Sequence, residues 1–382
     1  MNMTFTQKPI QHTPIVFKEP VLKVIGLGGG GSNAINRMME LGLTGVEYIA
    51  ANTDIQALNH CSAPVKIRLG HVLTRGLGTG GDPDIGEAAA EESLRELNSA
   101  LAGADMIFLT AGMGGGTGTG SIPVAARIAR STGAVTIAIV TTPFSFEIGK
   151  RQVNARDGLA KLRQYTDTLI TVPNDRLLQI APRDLPLELA FRLADDVLRQ
   201  GIQGISELVT QPGLINVDFA HIRSLMMNGG GALLAMGYGQ GANKTIQAVE
   251  QALRHPLLEA ISVENATGLI VNFTGGSELA FLEVTEALTY IQEKTNNHAD
   301  IIPGVISDPR MGDRVQVIMV ITGLGATSID NKVPSKSKIV PIQFIEQNEL
   351  STLPEPDLSH IELVGYSSEL DLPTFLRRRS NN

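Results

Sequence analysis

Short apolar and β-branched runs alternate with helical spacings along the first half of the chain. Val21-Leu22-Lys23-Val24-Ile25 predicts a strand, Gly26 to Gly31 a glycine loop and Asn33 to Leu41 a helix, together one βα unit. Val46 to Ala50, Met106 to Thr110 and Ala134 to Thr141 repeat the strand signal between further helical stretches. Such alternation predicts a mostly parallel sheet covered on both faces, an α/β fold. From Pro186 and Leu187 onward, Phe191, Ala194, Val197, Leu198, Ile202, Ile205, Leu208 and Val209 fall on one face of a long helix. Gln211-Pro212-Gly213 ends that helix. A second, smaller αβ pattern runs from Gly230 to about Gly325, with strands at Thr267 to Phe273 and Arg314 to Thr322. Beyond Ala326 the periodicity gives way to Ser, Lys, Pro and Glu, the composition of a flexible linker. The expected organisation is a leader at 1–20, a first domain at 21–185, a central helix at 186–211, a second domain at 212–325, a linker at 326–368 and a terminal peptide at 369–382. No repeat of solenoid period occurs.

Composition narrows the classes. The 382 residues, 43% of them hydrophobic, are enough for one large or two medium cores. No apolar run is long enough to cross a bilayer, and the leader lacks the basic and apolar regions of a signal peptide, so a cytoplasmic protein is expected. The single cysteine, Cys61, excludes an internal disulfide framework and reads as a small buried apolar residue. A net charge of -8 gives no sequence-wide case for nucleic acid. His60, His71, His255 and His298 are scattered without metal-ligand spacing and are expected at the surface or in turns, so no metal site is expected from the protein's own side chains.

Two glycine-rich segments carry the chemistry. Gly26-x-Gly28-x-x-Gly31 follows a strand, with Asp54 some twenty-odd residues on, which formally matches a dinucleotide fingerprint and keeps a nicotinamide-dependent oxidoreductase open. The second, Gly114-Gly115-Gly116-Thr117-Gly118-Thr119-Gly120, also follows an apolar strand and precedes a helix. Its backbone N–H groups and hydroxyls suit the close approach of a polyphosphate. No Gly-x-x-x-x-Gly-Lys-Ser/Thr occurs, so the chain is not a P-loop enzyme.

These residues resemble one family: the tubulin-like bacterial division GTPase FtsZ. The glycine-threonine segment is similar to the tubulin-family signature. Gly28 to Ala34, Ala51-Asn52-Thr53-Asp54, Gly76-Leu77-Gly78-Thr79-Gly80, Pro143-Phe144-Ser145-Phe146-Glu147, Asn216-Val217-Asp218-Phe219-Ala220 and Leu372-Pro373-Thr374-Phe375-Leu376 stand in the family's order. The resemblance implies a parallel-sheet GTP-binding domain joined by a long central helix to a smaller αβ domain. It implies that Gly29, Gly30, Gly31, Ser32 and Asn33, with Gly114 to Gly120, hold the phosphates of GTP or GDP. Thr79 and Gly80 would lie near the γ-phosphate, and Asn52 would be a further nucleotide contact. Glu147 and Arg151 would serve the ribose and phosphate side, and any Mg²⁺ would be held mainly through the phosphates. Glu147 and Arg151 share a face if their stretch is helical; the plainer alternative is an exposed ion pair.

Asn174 and Asp195 would read the guanine, and Phe191 would stack on it. Independently of the resemblance, a carboxylate at Asp195 can accept from both N1–H and the exocyclic amine of guanine, a pattern adenine lacks. Asp195 to Gln211 spans roughly 24 Å of helix, so the loop from Asn216 cannot reach a nucleotide at Asp195 in the same subunit. The resemblance implies that this loop works in trans, in the pocket of the next subunit of a head-to-tail filament, with Asn216, Asp218 and His221 as its catalytic group. His221 departs from the family pattern, which carries a second acid there. A neutral imidazole brings no negative charge, so slowed hydrolysis is expected, and a filament protein with little turnover is the alternative. Ile148 is a milder departure, where the family has a small residue. The tail residues Asp371, Leu372, Pro373, Phe375 and Leu376 resemble the family's ligand for a membrane-tethering adaptor, which would put the protein at the division site with only indirect membrane contact.

Overall fold

The computed structural model describes residues 19–147, 149–179, 186–211, 213–215, 217–258 and 263–323. Ile148, Asn216, the linker and the terminal peptide with Asp371 to Leu376 lie outside the described residues. The chain begins with β1 (Leu22–Leu27), α1 (Gly28–Glu40), β2 (Glu47–Asn52), α2 (Ile55–His60) and β3 (Val65–Arg68). Then come α3 (Pro83–Glu92), α4 (Leu94–Leu101), β4 (Met106–Gly112), α5 (Thr117–Ser131), β5 (Val135–Thr142), α6 (Lys150–Leu162), β6 (Thr168–Pro173) and α7 (Asn174–Leu177). The long helix α8 (Leu187–Thr210) leads to α9 (Phe219–Met227) and β7 (Gly230–Gln240). The chain continues with α10 (Lys244–Leu253), β8 (Gly268–Gly275), α11 (Phe281–Lys294), β9 (Asp300–Ser307) and β10 (Arg314–Thr322).

The strands lie in the order β3-β2-β1-β4-β5-β6-β7-β10-β8-β9. From β3 to β6 every pairing is parallel, and the interiors of β1, β2, β4, β5 and β6 are buried on both faces, as a doubly covered sheet requires, while the edge strand β3 leaves Lys66 exposed. Strand β7 joins the halves: Gly230 to Ala232 pair in parallel with β6, and Leu233 to Gln240 pair antiparallel with β10. The spacing of apolar residues on α8 is realised as a buried face, with Ala194, Val197, Leu198, Ile202, Ile205 and Leu208 in a core shared with α1 and with strands of both halves. The helix is therefore anchored to both halves of the molecule. Among the described residues no helix is long and apolar enough to cross a membrane.

Two sequence expectations need correction. The first glycine loop is shorter than the spacing suggests, because α1 begins at Gly28 rather than Asn33. A single positive φ of 71° at Gly28 turns the chain, so Gly29 to Gly31 become the helix's first turn. Likewise α5 begins at Thr117, and Thr117 to Gly120 are helical rather than loop. The second correction concerns His255, which lies in the turn after α10, as one expected alternative has it, but is buried there. Its Nδ1 accepts the Leu257 N–H at 3.3 Å, and burial pushes its imidazole down to about 4.

Candidate functional site

Helices α1 and α5 both start without a side-chain cap: Leu27 and Gly116 hold the capping positions and make no side-chain hydrogen bond. Their leading N–H groups lack side-chain acceptors, and helix N-termini favour anions. Both open on one cavity of about 370 Å³. It lies at the carboxyl ends of the parallel strands, where Asn52 from β2, Gly112 from β4 and Thr141 from β5 contribute to its wall.

The structure gathers most of the sequence-derived set around this cavity. Gly29, Gly30 and Asn33 line it from α1, and Gly115, Gly116, Thr117 and Gly118 from the start of α5. Thr79 and Gly80 belong to a strap, Gly76 to Gly81, that crosses one side. Glu147 and Arg151 form another wall, and Asn174, Phe191 and Asp195 close the far end. Five residues of the set stand behind the wall. The Ser32 hydroxyl donates to Gly28 O at 2.8 Å, and the Gly114 N–H donates to Thr119 Oγ1 at 2.8 Å. Gly31 and Gly120 are close-approach positions, where an added Cβ would meet Thr110 O at 2.6 Å and Pro83 O at 2.0 Å respectively. These five shape the cradle without facing it.

Glu147 precedes α6, so its pairing with Arg151 spans a turn and the helix start rather than one helix face. Nor is it an exposed pair: Glu147 is buried, its Oε1 accepts the Phe144 N–H at 2.9 Å, and its Oε2 lies 2.7 Å from Arg151 Nε. Burial lowers the Arg151 pKa and the Glu147 carboxylate opposes that shift. Phe191 meets the buried Phe144 edge-on at 5.3 Å between centroids, and Phe146 stacks on Phe144 at 5.1 Å. Among the described residues, the donor Asn52 Nδ2 and the acceptor Asn174 Oδ1 in the wall are buried with neither a hydrogen bond nor an ion pair. Orphaned buried groups are costly, and a polar ligand in the cavity would satisfy both. With the aromatic Phe191 and the carboxylate of Asp195, the wall is flat, apolar and acidic at one end and has the uncapped starts of α1 and α5 at the other.

Leu77, Gly78, Gly81, Met113, Pro143 and Ala194 line the cavity beyond the expected set, as does Asp54, which the sequence presents as part of the Ala51 to Asp54 motif and of the dinucleotide alternative without a role at this site. The repeated glycines at 76, 78, 80 and 81, all at positive φ, were the signal for the strap. Nothing in the local pattern marked Asn154, whose Nδ2 donates to Gly81 O at 3.2 Å and Gly114 O at 3.3 Å and ties the strap to the second glycine segment. Asp218 and His221 are exposed and far from this cavity along the chain's long helix. The Asp218 carboxylate caps α9 by accepting from Ala220 N–H at 2.9 Å, and His221 follows within the first turn. Leu214, before them, donates its N–H to Val305 O at 2.8 Å, so the loop is fastened to the edge strand β9.

The family model for the Tubulin/FtsZ GTPase domain matches residues 21–182, and that for the FtsZ C-terminal domain matches residues 230–325. The chain belongs to the FtsZ family. Among solved structures, the FtsZ dimer of M. jannaschii, described as empty, is 43% identical, with a TM-score of 0.78 over 81% of this chain and 89% of that one. CetZ2 from Haloferax volcanii, described as a GTPγS-bound protofilament, is 20% identical with a TM-score of 0.68, over 79% of this chain and 93% of that one. CetZ1 from the same organism, described as a GDP-bound monomer, is likewise 20% identical, with a TM-score of 0.66 over 79% and 94%. The CetZ likeness is one of fold. As a member of the FtsZ family, this is a tubulin-like GTPase of the nucleotide-binding cytoskeletal filament class, and the α/β architecture expected from the sequence is the one observed.

Proposed function

We propose that this chain binds GTP, and GDP after hydrolysis, in the cavity between α1, α5 and α8, and that it polymerises head to tail into the filament of a division ring. The observation that carries the reading is the pairing of two uncapped helix N-termini with an aromatic and acidic far wall in one cavity. The glycine amides and Thr117 would hold the phosphates, Phe191 would stack on the base, and Asn174 and Asp195 would fix its edge. Any Mg²⁺ would sit on the phosphate oxygens, where it neutralises charge.

Hydrolysis is assigned to the loop before α9, acting on the neighbouring subunit. From Asp195 to Thr210 the helix rises roughly 22 Å, so Asp218 of the same chain stays away from the pocket. In a heterologous contact the far end of one subunit meets the pocket end of the next, and repetition gives an open filament. Asn216 and Asp218 would then position the attacking water, with His221 in place of a second carboxylate. Loss of that charge slows hydrolysis and prolongs the filament, and in the limit leaves an assembling protein with little turnover. The segment 326–368 would act as a tether, and Asp371, Leu372, Pro373, Phe375 and Leu376 as the ligand for a membrane-tethering adaptor in the cytoplasm at the division site.

Phosphate release from GTP, measured against protein concentration beside light scattering, tests the reading. Release is expected to begin above a critical concentration together with assembly, at a rate below that of relatives with two acids. A rate equal to theirs would sink the slow-hydrolysis proposal, and assembly indifferent to GTP would sink the function.

A further inference from the structure

Arg68 ends β3 and stands opposite Asn52 in the parallel register of β2 and β3. Side chains at paired positions of adjacent strands emerge on the same face of the sheet. Asn52 lines the cavity, with its Nδ2 lacking an acceptor. Arg68 is half-buried, its Nε is buried without an acceptor, and its guanidinium makes no hydrogen bond or ion pair with any described residue. Its Nη2 lies 3.3 Å from the point a Cβ would occupy at Gly76. Gly76 is buried, with φ at 83°, and its carbonyl accepts the Ile55 N–H at 3.1 Å. The strap therefore passes directly over the guanidinium, while Leu77, Gly78, Thr79, Gly80 and Gly81 line the cavity beyond. A cation partly withdrawn from water without a counter-charge is unsatisfied. The anion cradle at the starts of α1 and α5 follows β1 and β4, the second and third strands in from β3.

We propose that Arg68 is a positioning residue for the terminal phosphate: from behind the Gly76 to Gly81 strap it supplies a fixed positive charge that favours a nucleoside triphosphate over the diphosphate and draws the strap towards it. This rests on the assignment of the cavity to a guanine nucleotide. Two strand spacings, about 10 Å, separate the ends of β3 and β1. A unit charge at that distance, screened by an effective dielectric of about 40, changes affinity about fourfold.

The test is binding of a slowly hydrolysed GTP analogue and of GDP to the full chain, below its assembly concentration, for wild type, Arg68→Lys, Arg68→Gln and Arg68→Met. Arg68→Gln and Arg68→Met are expected to weaken both nucleotides and to weaken the analogue about fourfold more than GDP, the factor contributed by the one extra phosphate charge, with Arg68→Lys retaining most of the discrimination. Met preserves the aliphatic stem, so a folding defect in the Gln variant alone leaves the charge tested. Equal losses for both nucleotides, or an unchanged ratio, would overturn the proposal and make Arg68 a packing residue beneath the strap. Wild type that binds neither nucleotide would overturn the functional reading itself, a result separable from the others because the unaltered chain shows it.

Discussion

At position 221 an exposed imidazole stands one turn beyond the Asp218 carboxylate, on a helix whose first turn that carboxylate already caps. Asp218 therefore has a structural duty as well as its proposed catalytic one, and removing it confounds the two. Changing His221 does not, because its side chain lies outside the cap. His221→Asp is expected to raise steady-state GTP turnover about tenfold or more, since a positioned base commonly contributes two or more decades. Turnover per assembled subunit checks this, and an unchanged rate would assign the chemistry to Asp218 alone. A second histidine acts on stability. With its imidazole pushed down to about 4 by burial, against an ordinary value of 6.5, His255 is neutral in both folded and unfolded chains above pH 6.5. As pH falls through 6.5 the unfolded chain takes up the proton first, so stability is lost across the window down to about 4 and the loss levels off below it. Between pH 7 and 4.5 the linkage amounts to about 2 to 3 kcal/mol. Melting temperatures over that range should fall less steeply for His255→Gln than for wild type.

At the scale of elements, glycines that are alike in sequence divide into two kinds. Gly120 lies where α5 crosses α3, and an added Cβ would meet Pro83 O at 2.0 Å and Glu87 N at 2.6 Å. At Gly115 an added Cβ meets nothing within 4 Å, and the backbone is not at positive φ. Gly120→Ala is thus expected to cost about 1 to 3 kcal/mol and lower the melting temperature by several degrees. Gly115→Ala should leave melting unchanged but weaken guanine-nucleotide binding, because its methyl group stands beside the proposed phosphate cradle. Thermal melts and nucleotide titration of the two variants separate the roles. The sequence could not make this division, since glycine periodicity reports that side chains are excluded and not what excludes them. What it did make legible were features with a local period: the buried stripe of α8, the strands β4 and β5, and the strand Arg314 to Thr322. Features set by distant neighbours escaped it, among them the burial of His255, the helical start at Gly28 and the split role of β7. Asp54 and the strap were visible as residues, but their meeting at one wall depends on an Asp54–Leu77 bridge between segments that no spacing connects.

At the scale of the whole molecule, α8 sets the distance on which the proposed sharing of the site between subunits rests. Its N-terminal part carries Phe191 and Asp195 at the cavity, its C-terminal end leads to the loop before α9, and its buried face packs into one core that strands of both halves share. A rigid spacer of this kind keeps pocket and loop apart in every isolated chain, so activity that depends on both must be shared between chains. Mixing Asp195→Ala, whose loop is intact, with Asp218→Asn, whose pocket is intact and whose amide oxygen can still cap α9 through the Ala220 N–H, tests the sharing directly. Each variant alone pairs every loop with a pocket lacking its base contact, or every pocket with a loop lacking its acid, and should release little phosphate. In an equal mixture that co-assembles at random, roughly a quarter of head-to-tail contacts join an intact pocket to an intact loop. Phosphate release should then recover to about that fraction of wild type, with a maximum near equal proportions. A mixture that co-sediments yet stays inactive at every ratio would mean that pocket and loop cooperate within one chain, against the separation that α8 imposes.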